Sequence, residues 1–234
     1  MTVFKELLDY IFEGENSAFY PEFEGWMRNS RRFTDFASTY RNKIRTKLRN
    51  IRNDEAAKDV RAELEAAALL LHENLFTQLT YEKYAAAKQR GPDFTVTFKT
   101  HTPFNVEVRR IRGVELDIAN RDARSSKLMA VLCEKVGQMP PSIINWLWLV
   151  AEQEVSASDL THAVINVRLL AERKAEDYFI RRGFRSAAAF INQYQHLSGI
   201  FVRQRGAKML WQNPMARHKA LPDLANALQR LEAT

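Results

Sequence analysis

Two short segments of alternating apolar and polar residues constrain the fold of this chain more than any other feature. Asp93–Lys99 places apolar side chains at every second position, and Phe104–Ile111 repeats the pattern. Because successive side chains of a β-strand point to opposite faces, each segment is predicted to be a strand with one apolar and one polar face. The turn-like Thr100–Pro103 lies between them, so the two strands are predicted to form a β-hairpin.

The alternation also suggests which residues of the hairpin lie opposite each other. If Phe98 pairs with Phe104, every apolar side chain falls on one face of the hairpin and every polar side chain on the other. In this register Asp93 faces Arg109, and Glu107 is a diagonal neighbour of Asp93. Diagonal neighbours lie about 7–8 Å apart, so the two carboxylates are predicted to converge on a single cation.

Two neighbouring carboxylates repel each other unless a positive charge lies between them. A hard divalent cation such as Mg²⁺ or Mn²⁺ suits the pair, because it takes oxygen ligands and often binds only one or two carboxylates. Such a cation polarises a phosphodiester and activates water. Arg109, on the same face, would stabilise the developing negative charge. The alternative is an ordinary ion pair between Asp93 and Arg109 on a solvated face of the sheet.

Hydrophobic periodicity predicts the elements around the hairpin. The predicted order is helix, strand, strand, strand, helix, strand, which indicates a mixed α/β (α+β) fold. The last strand is apolar on both faces, as is typical of a buried central strand. Besides the hairpin, the elements are a helix from Asp54, its predicted N-cap, to about Gln78, a short strand Leu79–Tyr84, a helix Asp122–Val136 and a strand Ile143–Val150.

The segments Gly91-Pro92-Asp93-Phe94 and Asn105-Val106-Glu107-Val108-Arg109 resemble the motif of the PD-(D/E)XK nuclease superfamily. The predicted order of elements is also similar to the core of that superfamily. The resemblance covers roughly residues 54–151, which is under half of the chain. It implies a restriction-endonuclease-like core and a metal-dependent nuclease that hydrolyses phosphodiester bonds in nucleic acid.

The resemblance also implies roles for individual residues. Asp93 and Glu107 would be metal ligands, and the backbone carbonyl of Val108 would complete the shell. A glutamate of the preceding helix often joins them in this superfamily. Glu63 is the candidate here, with Glu65 as the alternative.

Arg109 departs from the motif, which has lysine at this position. Lysine loses its proton when it is desolvated, whereas arginine stays charged. If the family's lysine orients water or stabilises charge, Arg109 would serve. If its role needs proton transfer, the chain would be a catalytically inactive member that binds nucleic acid or a protein partner. A structural α/β domain without such a site is the third interpretation.

The chain has extensions on both sides of this core. Residues 1–53 are predicted to form a helical basic extension, and residues 54–234 the nuclease-like core with C-terminal additions. The additions are predicted as a helix Ser158–Phe179 capped by Ser158 or Asp159, strands Ala188–Tyr194 and Leu197–Val202, and a helix Pro222–Leu231. The oligomeric state is not indicated by the sequence.

Positive charge is concentrated in the N-terminal extension. The chain carries a formal net charge of +7, and between Trp26 and Asn53 nine basic residues face one acidic residue, Asp35. The helix predicted over Tyr40–Ile51 places basic residues on one face: Arg41, Arg45, Arg49 and Arg52. This face is either a solvated surface or a phosphate-binding surface. Nucleic acid is therefore the predicted partner, with DNA favoured over RNA.

The remaining composition indicates a protein of the cytoplasm. Cys133 is the single cysteine, so no internal disulfide can form. The longest apolar run, around Ile143–Ala151, is far shorter than the roughly 20 residues that span a bilayer. We therefore expect no membrane partner and a cytoplasmic location.

Overall fold

In a computed structural model, the described residues 3–14, 17–84, 91–112 and 121–231 form ten helices and six strands. The predicted break at Gly113–Asn120 and most of the irregular Ala87–Gly91 lie outside the described residues. The elements are α1 (Val3–Phe12), α2 (Tyr20–Asn29), α3 (Arg31–Thr39), α4 (Arg41–Arg49), α5 (Asp54–His72), β1 (Phe76–Tyr81), β2 (Phe94–Phe98), β3 (Thr102–Ile111), α6 (Arg121–Val136), β4 (Ile144–Ala151), α7 (Ala157–Glu172), α8 (Glu176–Ile180), α9 (Ala187–Tyr194), β5 (Gly199–Gln204), β6 (Ala207–Gln212) and α10 (Pro222–Arg230).

The six strands form one mixed sheet in the order β1-β2-β3-β4-β5-β6. β3, β4 and β5 are parallel to one another, whereas the pairs β1–β2, β2–β3 and β5–β6 are antiparallel. The prediction that the hairpin and the strand near Ile143–Val150 share one sheet is confirmed. From α5 to β4 the order is helix, strand, strand, strand, helix, strand, as predicted.

The predicted hairpin register is wrong by two residues. Phe94 pairs with Val106 and Phe98 with Thr102, so Asp93 continues the ladder next to Glu107 rather than facing Arg109. Thr102, which was predicted to lie in the turn, begins β3. The loop between the two strands shortens in this way to residues 99–101. An even shift keeps every side chain on its predicted face.

Helices cover both faces of the sheet and bury two hydrophobic clusters. The first cluster joins α1–α5 and α10 to one face, through residues such as Leu8, Phe23, Phe33, Ile44, Leu64, Phe104 and Leu224. The second cluster joins α6–α9 to the other face, through residues such as Leu132, Leu147, Val164, Phe179, Phe190 and Ile200. The result is a three-layer α/β/α arrangement. None of the described helices has the length and apolar character needed to cross a membrane.

Several helix boundaries differ from the prediction. Asn53, rather than Asp54, caps α5, and its side chain accepts the N–H of Ala56. α5 ends at His72, which lets β1 begin at Phe76 instead of Leu79. A capping side chain fixes where a helix begins. Polar residues at adjacent positions can each act as the cap, so an observed boundary can differ from the predicted one by one or two residues.

The C-terminal additions need larger corrections. The predicted helix Ser158–Phe179 is two helices, because the chain turns at Lys174, whose φ is +54°. α7 is capped by Ser156, not by Ser158 or Asp159, and Asp159 returns the bond as a capping box. The predicted strand Ala188–Tyr194 belongs to a helix, α9.

Local sequence explains why this last segment is helical. Ser186 accepts the N–H of Ala189, and three successive alanines follow the cap. Alanine has the highest helix propensity. The apolar residues Phe190 and Tyr194 are four residues apart and lie on one buried face of α9. The strand that pairs with β5 is instead β6.

Gly199 provides a test of the β4–β5 contact. A Cβ atom at this position would overlap the ring of Trp146 and lie 2.8 Å from the backbone oxygen of Trp211. We expect Gly199→Ala to destabilise the fold by about 1–3 kcal/mol, because overpacking a buried site forces its neighbours apart. A chain of this length should lose roughly 2–4 °C in Tm per kcal/mol in thermal unfolding.

Gly25→Ala is the matched control. Gly25 lies within α2, and a Cβ there would meet no atom within 4 Å. Alanine in a helix is more favourable than glycine by about 0.5–1 kcal/mol, so Tm should stay level or rise. Equal Tm values for the two variants would contradict the packing of Gly199 against Trp146.

Candidate functional site

The candidate site lies where β3 continues past the end of β2. Phe94, the first residue of β2, pairs with Val106, whereas β3 runs beside β4 as far as Ile111. The backbone N–H of Val108 lies beyond the β2 ladder, and the Oδ2 atom of Asp93 accepts it at 2.8 Å. A buried backbone donor needs an acceptor. This contact therefore fixes the Asp93 carboxylate beside β3.

A cleft of about 300 Å³ opens at this point between α5, the β2–β3 hairpin and α6. All five residues expected to act in metal binding or catalysis line it. The full lining is Asp59, Glu63, Asp93, Glu107, Val108, Arg109, Arg110, Glu134 and Lys135. The polar face of the hairpin is thus one wall of a cleft rather than an open, solvated surface.

Asp93 and Glu107 occupy the centre of the cleft. Burial raises the pKa of Asp93 well above its usual range, and the charges of Glu63 and Glu107 raise it further. The pKa of Glu107 is also raised, mainly by burial, although Lys135 opposes the shift. Both shifts mean that the charged forms of these carboxylates are disfavoured, mainly by burial, which favours a cation or a proton at the two groups.

Glu63 is the glutamate of the preceding helix that reaches the cleft. Its Oε1 atom accepts a hydrogen bond from Lys47 Nζ at 2.6 Å, and its charge raises the pKa of Asp93. The alternative candidate, Glu65, lies outside the cleft and pairs with Arg203 at 2.6 Å. Residues two positions apart on a helix point in different directions, so the helix geometry separates these two candidates.

Lys135 was not identified from the sequence as a site residue. Its Nζ atom lies 2.8 Å from Glu107 Oε1, and its side chain is 13% exposed. The sequence contained a signal, because Lys135 follows Val131 by four residues and Leu132 by three. It therefore lies on the inward face of α6. A lysine on an otherwise apolar helix face usually has a buried partner.

Arg109 lies on the same face of β3 as Glu107 and lines the cleft. Its Nε atom is 3.9 Å from Glu134 Oε2, at the limit of an ion pair. The ladder places Asp93 next to Glu107, so Asp93 and Arg109 do not lie directly opposite each other. The alternative of a cross-strand ion pair between them depended on the predicted register. The site therefore contains a guanidinium from β3 and an ammonium from α6.

A buried arginine attaches α5 to the end of β3. Arg110 is 4% exposed and binds Glu55 and Asp59 of α5 and Glu152, which follows β4. Arg112 adds ion pairs to the same two α5 carboxylates. Glu55 and Asp59 are four residues apart, and Glu63 follows after another four, so all three lie on one face of the helix. The Arg110 network thus aligns the α5 face that carries Glu63 with the cleft.

The predicted nucleic-acid-binding arginines lie away from these carboxylates. Arg45 pairs with Glu13 at 2.7 Å, and Arg49 approaches the same carboxylate at 3.4 Å. Arg41 and Arg45 also lie over the ring of Tyr10. The row therefore packs partly against α1, although the side of the row formed by Arg41, Arg49 and Arg52 is exposed.

The two central carboxylates suit a divalent cation in their chemistry. The Oε2 atom of Glu107 is buried and hydrogen-bonded to no residue of the described chain. An unpaired buried carboxylate oxygen is costly, and a hard cation would satisfy it. In residues 3–14, 17–84, 91–112 and 121–231, no group of three His, Cys, Asp or Glu side chains is arranged to hold a metal ion. The third carboxylate at the cleft, Glu63, is hydrogen-bonded to Lys47.

No protein-family model, curated protein or solved structure matches this chain. Its function is therefore inferred from the residues and geometry of the cleft.

The raised pKa of Asp93 predicts a pH-dependent penalty on folding. Below pH about 4, Asp93 is protonated in both the folded and unfolded states and carries no penalty. As the pH rises towards the folded pKa, the unfolded state releases its proton first, so the metal-free protein loses stability. Asp93→Asn should lack this loss, because an amide does not ionise. The fold should be kept, because the amide oxygen can still accept the Val108 N–H.

Thermal unfolding in EDTA from pH 4 to 8 measures the effect. The Tm advantage of Asp93→Asn over the wild type should grow with pH and then level off. A growth of about 2–4 °C would correspond to ~1 kcal/mol in a chain of this length. A constant difference across this range would show that burial does not raise the pKa of Asp93. Glu107→Gln is not equivalent, since it removes the carboxylate that lies 2.8 Å from the Lys135 ammonium and leaves only Glu134, at 3.5 Å, among the described partners.

Proposed function

We propose that this chain is a metal-dependent phosphodiesterase of the PD-(D/E)XK type that hydrolyses nucleic acid. The observation that carries the proposal is the pair formed by Asp93, which immediately precedes β2, and Glu107 of β3, two carboxylates with raised pKa that line one cleft. Like charges brought together in a cleft are usual at functional sites and costly elsewhere. The order of elements from α5 to β4 supports the resemblance, since the same order surrounds the motif of that superfamily.

Asp93 and Glu107 would hold the metal ion, with the carbonyl of Val108 and the carboxylate of Glu63 as further ligands. A bound Mg²⁺ or Mn²⁺ would supply Lewis-acid polarisation of the phosphodiester and activation of water. The protein's own contribution is the position of these groups. Asp93 is oriented by the N–H of Val108, and Glu107 by the ammonium of Lys135.

Lys135 bears on the departure of Arg109 from the family motif. The motif has a lysine ammonium at the position of Arg109 on β3. In this cleft an ammonium is present as well, but it belongs to Lys135 of α6. We assign water orientation to Lys135 and charge neutralisation on the phosphate oxygens to Arg109. The two roles match the chemistry of each side chain, since lysine is a point charge with mobile donors and arginine a fixed planar fork.

A second candidate function is nucleic-acid binding without catalysis. Arg109 at the lysine position of the motif favours it, as does the occupation of both Glu63 and Glu107 by lysine in the structure. The basic residues of α4 fit both candidate functions equally, because contacts to phosphate contribute binding affinity whether or not the nucleic acid is cleaved. Cleavage assays on DNA and RNA distinguish the two candidates.

We expect cleavage of DNA or RNA to require Mg²⁺ or Mn²⁺ and to be abolished by EDTA. Glu107→Gln should lower the rate by about 10²–10³-fold, because a hard cation needs the charge of its ligand as well as its oxygen. Glu63→Gln should also lower the rate. Glu65→Gln is the matched control on the same helix and should retain activity, since Glu65 pairs with Arg203 outside the cleft. Nucleic-acid binding without cleavage under any of these metals would leave only the second candidate.

The division of roles between Lys135 and Arg109 gives a separate prediction. Lys135→Met should reduce the rate constant of the cleavage step by about 10²–10³-fold in single-turnover assays. Arg109→Lys keeps a positive charge on β3 and should change that rate by less than about tenfold, mostly through weaker phosphate binding. The reverse ranking of the two variants would place the essential cation on β3 and contradict the role of Lys135.

A further inference from the structure

Two lysines of α4 extend from the basic helix towards the cleft. Lys43 lies 3.1 Å from a carboxylate oxygen of Glu82, and its Nζ atom also donates to the backbone oxygen of Tyr81. Lys47 lies 2.6 Å from Glu63 and 2.6 Å from Glu82. Both ammonium groups are over the ring of Tyr81, at 5.1 and 4.7 Å from its centroid. This lysine row is distinct from the arginine row, because the buried Ile44 and the partly buried Leu48 lie between them on the helix.

Lys47 connects this row to the carboxylates of the cleft. Its partner Glu63 lines the cleft, and its charge lowers the pKa of Asp93 against the larger effect of burial. Lys47 is on the Glu63 side of the site, while Lys135 contacts Glu107. The three central carboxylates are therefore flanked by one ammonium from α4 and one from α6.

Charge balance suggests what Lys47 does when the site is loaded. With all groups ionised, five carboxylates and three cations line the cleft, and Lys47 adds a fourth cation beside it, so the metal-free cleft stays negative and repels a phosphodiester. A divalent cation reverses the sign of the cleft. If that cation takes Glu63 as a ligand, Lys47 loses one of its two carboxylate partners and keeps Glu82, while its side chain stays partly buried beside the site. An ammonium has three donors, so the donor that Glu63 releases is available to a new anion.

We propose that Lys47 is a substrate-binding residue, which Glu63 and Glu82 hold until a divalent cation binds Glu63, and which then contacts a backbone phosphate of the nucleic acid. The inference rests on the proposed function, since it needs the metal and the phosphodiester. It makes metal and nucleic acid bind cooperatively, with Lys47 as the group that transmits the coupling. It also gives the N-terminal helical extension a role in the site itself.

Lys47 suits this role better than its neighbours in α4. Lys43 contacts Glu82 and the Tyr81 carbonyl but has no described contact with a carboxylate of the cleft. Arg45 is paired with Glu13 on the other side of the helix. Lys47 is also the more enclosed lysine, with its side chain 26% exposed against 34% for Lys43.

The test uses the full-length chain and two ligands, Mn²⁺ alone and a short fluorescent DNA duplex. Lys47→Met keeps the length of the side chain and removes its charge. Without the competing ammonium, we expect Mn²⁺ to bind about fivefold more tightly in isothermal titration calorimetry. Duplex affinity should fall about tenfold in Ca²⁺, which takes the same oxygen ligands, but should hardly change in EDTA, where Lys47 is held by its carboxylates. The salt dependence in Ca²⁺ should fall by about one phosphate contact.

Two further variants separate this role from a structural one. Lys43→Met is the matched control on the same helix face, and its Mn²⁺ affinity and its ratio of duplex affinities in Ca²⁺ and EDTA should equal those of the wild type. Glu82→Gln leaves Lys47 with Glu63 as its remaining carboxylate partner, so Mn²⁺ should bind more weakly, opposite to Lys47→Met. If Lys47→Met does not fold, the weaker Mn²⁺ binding of Glu82→Gln alone tests the competition.

The outcomes that overturn the inference are distinct from those that overturn the function. A wild type that neither binds Mn²⁺ nor cleaves removes the proposed function, and the inference falls with it. A wild type that binds Mn²⁺ and cleaves, with Lys47→Met unchanged in both affinities, removes the inference alone. The third outcome is that Lys47→Met and Glu82→Gln both lower the Tm and both shift the Mn²⁺ affinity in the same direction. Lys47 would then only stabilise the packing of α4 against α5.

Discussion

The unequal lengths of two neighbouring strands determine the rest of this structure. β3 has a full-length partner in β4, but β2 accompanies it only from Thr102 to Val106. Where β2 is missing, the backbone of β3 still has a donor to satisfy, and Asp93 supplies the acceptor for the N–H of Val108. A carboxylate is thereby held next to Glu107. The acidic site is a consequence of how the sheet ends its pairing.

Charge compensation then organises the helices around this end of the sheet. Four carboxylates here pair with a cation from a different element: Glu107 with Lys135 of α6, Glu63 with Lys47 of α4, and Glu55 and Asp59 of α5 with Arg110 of β3. Such pairs contribute little net stability, because desolvation offsets most of their attraction. Their effect is to fix where the helices sit. Among the residues that the structure describes, Asp93 forms no ion pair, and burial raises its pKa.

The sequence predicted the faces of the hairpin well and its register poorly, for one physical reason. Side chains on a strand alternate with a period of two, so the pattern assigns Asp93, Glu107 and Arg109 to one face of the hairpin. A shift of two residues leaves that pattern unchanged. The turn decides between the two registers, because the left-handed backbone of Lys99 at φ +54° belongs to a short loop, residues 99–101, which places Thr102 opposite Phe98. The alternation of apolar and polar residues indicates neither the backbone conformation of Lys99 nor the residue at which β3 begins.

By itself, the sequence determined the order of the elements from α5 to β4 and the shared face of Asp93, Glu107 and Arg109. These features depend on local periodicity and on spacing within one helix or strand. Only the tertiary structure decided that Lys47 and Lys135 reach the carboxylates, that Glu63 rather than Glu65 does so, and that the arginines of α4 pack against α1. Each of these is a contact between residues distant in the chain, so it is set by the packing of whole helices on the sheet.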